Sequence, residues 1–254
     1  MSVRSLFHPA VPVLALLSVS VPLGAGVEHT DRISRTLLMP STTPLALRAT
    51  VGEIAVVGWN QPHVSIEVIR RVPSPQQLNA VTVVVEQGDE GASVTALQAP
   101  GRTDAALIGS IIVRAPVDQA FGDIELFEGR ISLKDLHGGV RAHVEHGSID
   151  AGSLGGRIGL ESGIGAIQLS GATLSDEGSI RIRTFNGDVT LGFRSRPLHA
   201  RILALSLGGT IHSDLPLTER HTFGPRFGEL TLGRGSPVVS IDVVRGNIRI
   251  TGEP

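Results

Sequence analysis

The sequence predicts an all-β protein, an elongated stack of short strands of the β-solenoid or single-stranded β-helix kind. Three observations predict it. Glycine falls at Gly129, Gly138, Gly147, Gly156 and Gly165, nine residues apart each time. Two residues after each glycine stands Ile131, Val140, Ile149, Ile158 or Ile167, and four after it Leu133, Ala142, Ala151, Leu160 or Leu169. The residues between, such as Arg130, Ser132, Arg141, Ser148 and Asp150, are mostly polar or small. Each unit therefore reads as a short strand with an apolar inner face and a polar outer face, opened by a glycine that takes the positive φ of a tight corner. Such a unit cannot bury its own inner face, whereas stacked units share a continuous aliphatic core. Two units make one coil, which sets Gly129, Gly147 and Gly165 in one column. The alternative, a β-sandwich with evenly spaced hairpins, has loops that rarely hold one period over five turns.

The elements follow in order. Arg4 precedes the apolar run Ala10 to Leu23, and Gly24, Ala25 and Gly26 follow it, a signal-peptide pattern over residues 1–26. The run is shorter than the roughly 20 residues a span requires. The alternative is a retained membrane anchor; with cleavage near Gly26, no stable membrane span remains. Residues 27–44 are polar and end in MPSTTP, an extended lead-in or linker. The β-strand-repeat domain is expected over 45–254, most regular at 122–192. Its strands begin with Leu45, Leu47 and Ala49 on one face, restart after Gly52 with Ile54 and Val56, and continue through HVSIEVIRRV, NAVTVVVEQ, ASVTALQA and GSIIVRAP. Only Gln76 to Asn79, after PSP, suggest a helical turn. Beyond Gly165 the beat resumes after an insertion, at Gly178 with Ile180 and Ile182 and at Gly187 with Val189 and Leu191, and it leaves traces in LGGTIHSDL and RGNIRITG.

Composition narrows the function. The net charge of −2, with acids and bases interspersed, gives no case for nucleic acid. Cysteine is absent, which removes disulfides, thiol catalysis and thiolate zinc sites. Tyrosine is absent too, and Trp59 is the single tryptophan, read as a packing residue at the first coil's corner.

The run IIVRAPVDQAFGDIELFEGRISLKDLHGGVRAHVEHGSIDAGSLGG, with TFNGDVTLGF, resembles the bacterial putative-adhesin family of exported β-strand-repeat proteins. The shared pattern is a strand ending in a proline corner, then repeated G-x-[IV]-x-[VL] units alternating with L-x-G. LRATVGEIAVVGWNQPHVSIEV is similar to that family's opening coil. The resemblance covers most of Leu45 to Gly252. It implies a β-solenoid-like fold at the cell surface or in the periplasm, and it supplies no catalytic residues to carry over.

Nonapeptide calcium sites need a recurring aspartate, and only Asp150 occupies the third position after a glycine, against Ser132, Arg141, Gly159 and Gln168. His143 and His146, with Glu145 between and His137 nearby, suggest zinc, yet positions three apart on a strand face opposite ways. His199, His212 and His221 are scattered. Outward carboxylates Glu125, Asp150 and Glu161 are the candidates for polysaccharide chemistry, which requires two of them about 5 to 10 Å apart in a groove. The reading is accordingly an exported surface or envelope protein mediating binding or assembly, with no catalytic residue, cofactor or metal. Its partner is an extracytoplasmic protein or glycan, and end strands offer self-association. The alternatives are a polysaccharide lyase or hydrolase on the same scaffold, and a purely structural assembly protein with flat, unprotected end strands.

Overall fold

The computed structural model describes residues 29–88, 90–99, 106–221 and 224–252. The expected signal peptide, 1–26, lies outside the described residues. The strands are β1 (His29–Leu37), β2 (Leu45–Trp59), β3 (Val64–Val72), β4 (Val81–Gln87), β5 (Ala92–Gln98), β6 (Ile108–Pro116), β7 (Phe121–Leu136), β8 (Val140–Leu154), β9 (Arg157–Ile164), β10 (Ile167–Ala172), β11 (Ser179–Asn186), β12 (Val189–Phe193), β13 (Ala200–Gly208), β14 (Ile211–Ser213), β15 (Thr218–His221), β16 (Arg226–Leu232), β17 (Val238–Arg245) and β18 (Ile248–Gly252). The class is all-β, and the strands join in one mixed sheet of 18. A 3-10 helix at Pro75–Ala80 covers the stretch where the sequence suggests a helical turn. Within the stretch read as a lead-in, β1 is hydrogen-bonded into the sheet, antiparallel to β3.

Glycine bends this sheet. β2, β7 and β8 are 15, 16 and 15 residues long, and each passes a glycine near its middle, Gly52, Gly129 and Gly147, at φ of +140°, +136° and +151°. Gly165, Gly187 and Gly246 hold the same place between β9 and β10, β11 and β12, and β17 and β18. Space demands glycine as firmly as conformation does. A Cβ on Gly147 would lie 1.7 Å from the Gly129 carbonyl oxygen, and one on Gly165 would lie 1.8 Å from that of Gly147. The backbone ladder continues around the bend: Ile149 N donates to Ala166 O at 3.1 Å and Ile167 N to Asp188 O at 3.0 Å, so the corner leaves these donors paired. The intervening glycines of the beat make a less regular second column. Gly156 has φ +76°, but at Gly138 the positive φ passes to Gly139, +85°. Gly138 is held to glycine by contact instead, since its Cβ would meet the Gln119 carbonyl at 2.3 Å.

The column divides the sheet into two wings. The first wing, before the corner, runs β4, β5, β2, β7, β8, β9, β11, β17, β13, β16, β15; the second, after it, runs β1, β3, β6, β2, β7, β8, β10, β12, β18, β14. Inner strands pair in parallel and in register, Gly129 with Gly147 and Ile149 with Ile167, an offset of eighteen residues. After the loop following β10 the offset becomes twenty-two, Ile158 with Ile180 and Ile167 with Val189. All ten apolar positions read from the beat are buried, and residues of both wings share a single core cluster. The core also holds hydroxyls beside the corner: Ser162 donates to Gly147 O (3.1 Å), Thr184 to Gly165 O (3.2 Å) and Ser206 to Gly246 O (2.9 Å).

The spatial order departs from chain order at both ends. β2 lies between β5 or β6 and β7, and the C-terminal pair β17 and β18 lies between β11 and β12 on one side and β13 and β14 on the other. Antiparallel strands close the ends, β3 and β1 on β6, β4 on β5, and β16 and β15 on β13. At one end Arg70 pairs with Asp31 and donates to the carbonyls of Leu78 (3.1 Å) and Val81 (3.2 Å), tying β1, β3 and β4 together. Two outer strands, HTDRISRTL and TERH, carry charges, a feature that blunts strand addition.

Candidate functional site: the outer face of the first wing

Alternation fixes what this face presents. On β7, Ile124 and Leu126 point into the core, so Asp123, Glu125 and Phe127 point out. In-register parallel pairing then aligns the outward residues of successive strands into rows. One row is Asp123, Arg141, Gly159 and Arg181. The next is Arg48, Glu125, His143, Glu161, Arg183 and Asp242. A third, one step further along the same strands, contains Phe127, Glu145, Gly163 and Phe185.

Most charges in these rows are matched. Arg48 Nε lies 2.8 Å from Glu125 Oε2, Arg141 Nη1 3.0 Å from Asp123 Oδ1, and Arg183 Nε 3.9 Å from Asp242 Oδ2. His143 Nε2 and Glu145 Oε2 approach to 3.3 Å. Pairs this exposed contribute about 0–1 kcal/mol each, too little for stability to explain a whole row of them. Arg157, Arg181 and Glu161 stand without an ion pair among the described residues. The corner side of the face is apolar: Phe127, Ile164, Phe185 and Leu207 are 42, 50, 56 and 47% exposed. His146 meets the Phe127 ring edge-on at 5.3 Å, and the Arg245 guanidinium lies 6.0 Å from the Phe185 centroid.

The carboxylates selected from sequence divide between the wings. Glu125 and Glu161 share a row, two strands apart with His143 between them, about 9.6 Å at the backbone. Asp150 lies on the second wing, 3.4 Å from Arg130, and aligns with Ser132 and Gln168 in place of other aspartates. The histidine pair also divides, His143 toward Glu145 and His146 toward Phe127. Among the described residues no three His, Cys, Asp or Glu side chains are grouped to hold a metal ion. Trp59, half-buried at the end of β2, donates to the His63 carbonyl at 2.9 Å and packs edge-on against the His63 ring at 4.8 Å. Sequence reasoning passed over Phe127 and Phe185, although the alternation that buries Leu126 already turned Phe127 outward.

Fold and face together define an all-β repeat protein with an open, charged and partly aromatic surface. No family model and no curated protein matches the chain. Solved structures similar to it include a putative cell adhesion protein from Clostridium sporogenes, 11% identical, covering 88% of this chain and 100% of that one, with a TM-score of 0.46. A putative adhesin from Bacteroides fragilis is 14% identical, covers 88% and 97%, and has a TM-score of 0.45. Another from Parabacteroides distasonis is 10% identical, covers 87% and 97%, and scores 0.34. No helix among the described residues is long and apolar enough to cross a membrane.

Proposed function

We propose that the chain is an exported, non-enzymatic surface or envelope protein, a β-solenoid of the adhesin-like kind that binds a partner with the outer face of its first wing. The single observation that carries this reading is the set of aligned rows, because a ladder of exposed charges bordered by exposed phenylalanines adds little to folding and much to recognition. The eighteen-residue parallel register supports the solenoid description. Export rests on Arg4 and the apolar run that follows it. In this reading residues 1–26 are removed, 27–44 lead in, and 45–254 form the repeat domain, in the periplasm, at the cell surface or in the medium. Self-association belongs to the same proposal, through β4, whose Val84 is 39% exposed at the edge of the first wing.

The test is binding of the purified protein to intact cells and isolated envelopes of its source bacterium. Saturable binding that weakens at least tenfold in a combined Arg48→Ala, Arg183→Ala, Phe185→Ala variant is expected. Equal binding by that variant and by Asp150→Ala, on the other wing, would overturn the choice of face. The pair Glu125 and Glu161 favours a second reading, a glycan-processing enzyme, since their spacing suits two carboxylates acting across a bond. Release of reducing ends from a polysaccharide, abolished by Glu125→Gln and Glu161→Gln, would establish that reading instead.

A further inference from the structure

Two adjoining recesses of about 400 and 420 Å³ open on the first wing and share Arg141, Gly159 and Arg181. They exist because Gly159 has no side chain between Arg141 and Arg181 of its row. The backbone does not require this glycine. Its φ is not in the left-handed region, and an added Cβ would meet only the flexible Arg141 side chain, at 3.6 Å. That separates it from Gly147, where conformation and contact both exclude any other residue. The gap therefore belongs to the surface.

Its lining sets Arg141, Arg157, Arg181 and Arg183 against Asp123, Glu125 and Glu161. Arg141 is engaged by Asp123, whereas Arg157 and Arg181 are exposed and have no ion pair among the described residues. Glu161, two residues beyond Gly159 on β9, is the one carboxylate of the lining without an ion pair among the described residues, and it is suited to accept from hydroxyl groups. Guanidinium forks match carboxylate geometry with two parallel hydrogen bonds. Two residues beyond Arg183, the exposed ring of Phe185 offers an apolar face of the kind on which the C–H side of a sugar packs. Arg157 and Arg181 stand on neighbouring strands, two residues apart in register, about 8 Å at the backbone, and Phe185 lies four residues, about 13 Å, further along β11.

We propose that this recess binds an acidic polysaccharide, a uronate-bearing chain running along β11, with its carboxylates on Arg157 and Arg181 and a ring against Phe185. The assignment rests on the reading of this face as a binding surface and names its partner. The opposite wing has a recess of about 370 Å³ as well, but its lining carries a single cation, Lys134, beside one carboxylate, Asp150.

Calorimetric titration of the full chain with polygalacturonate oligomers tests it, with dextran as the neutral glycan and polyglutamate as the acidic polymer without sugar. Expected are binding to polygalacturonate, at least tenfold weaker binding to the other two, and a steep loss in 0.5 M salt, a value on the order at which the Debye length falls to a few ångströms. Arg157→Gln with Arg181→Gln should weaken binding more than tenfold, Phe185→Ala severalfold, and Arg130→Gln on the other wing not at all. Gly159→Gln fills the recess while keeping every charge, and a tenfold loss is expected there too. Equal binding of polyglutamate, equal binding of dextran, no binding of polygalacturonate, or indifference to Gly159→Gln would each overturn the proposal. Envelope binding that survives in the double arginine variant would discard the acidic glycan and leave the parent reading standing; envelope binding lost only in second-wing variants would discard both.

Discussion

The two wings share one core and one line of glycine corners, yet they present different chemistry. Along the first wing the outward row reads Arg48, Glu125, His143, Glu161, Arg183; along the second the corresponding row reads Ala55, Ser132, Asp150, Gln168, Thr190. Inside, the two are nearly interchangeable: Ile124 and Leu126 on one, Ile131 and Leu133 on the other, all 0 to 1% exposed. The comparison separates two tasks. Packing dictates every second residue on both wings and is indifferent to the rest, so a difference confined to the outer residues reflects what each face meets.

Substitutions can sharpen or break that separation. The largest effect belongs to the corner both wings share. Gly147→Val sets a β-branched residue at φ +151° against the Gly129 carbonyl, and a loss above about 4 kcal/mol in chemical denaturation is expected. A loss within about 0.5 kcal/mol would deny the corner. Next come the inner ladders: Ile149→Ala on the second wing and Ile124→Ala on the first should each cost about 2–5 kcal/mol by the same assay. A surface-like value at either would break the symmetry of the core. Ser162→Ala, which removes the hydroxyl bonded to Gly147 O, should cost about 1 kcal/mol. The smallest effects are outside. Arg48→Ala and Asp150→Ala each break one exposed pair, and melting curves should place both within about 0.5 kcal/mol of the parent. Only partner binding should tell these last two apart.

Much of this was legible because a sheet's side-chain period is two and glycine is the residue a tight corner requires. The strict beat at Gly129, Gly147 and Gly165 carried the register, and the isoleucines two residues later carried the core. Strand order was not legible. Nothing local in RGNIRITG says that β18 inserts between β12 and β14, because every inner strand offers the same aliphatic edge and the choice is made by long-range contact. The antiparallel ends were hidden for the same reason, since VTVVVEQ alternates alike in either direction. At the site, Glu125 and Glu161 were read as outward, but whether they shared a row depended on an eighteen-residue step. The recess was missed because Gly159 belongs to no beat, and its meaning emerges only when Arg141 and Arg181 stand on either side.

Oxidative footprinting of the protein bound to isolated envelopes tests most directly whether one wing is the working face. The account predicts that Phe127, Phe185 and His143 on the first wing are protected from hydroxyl radicals while His212 on the second wing stays as reactive as in the free protein. Protection of His212 with the two phenylalanines unchanged would contradict it.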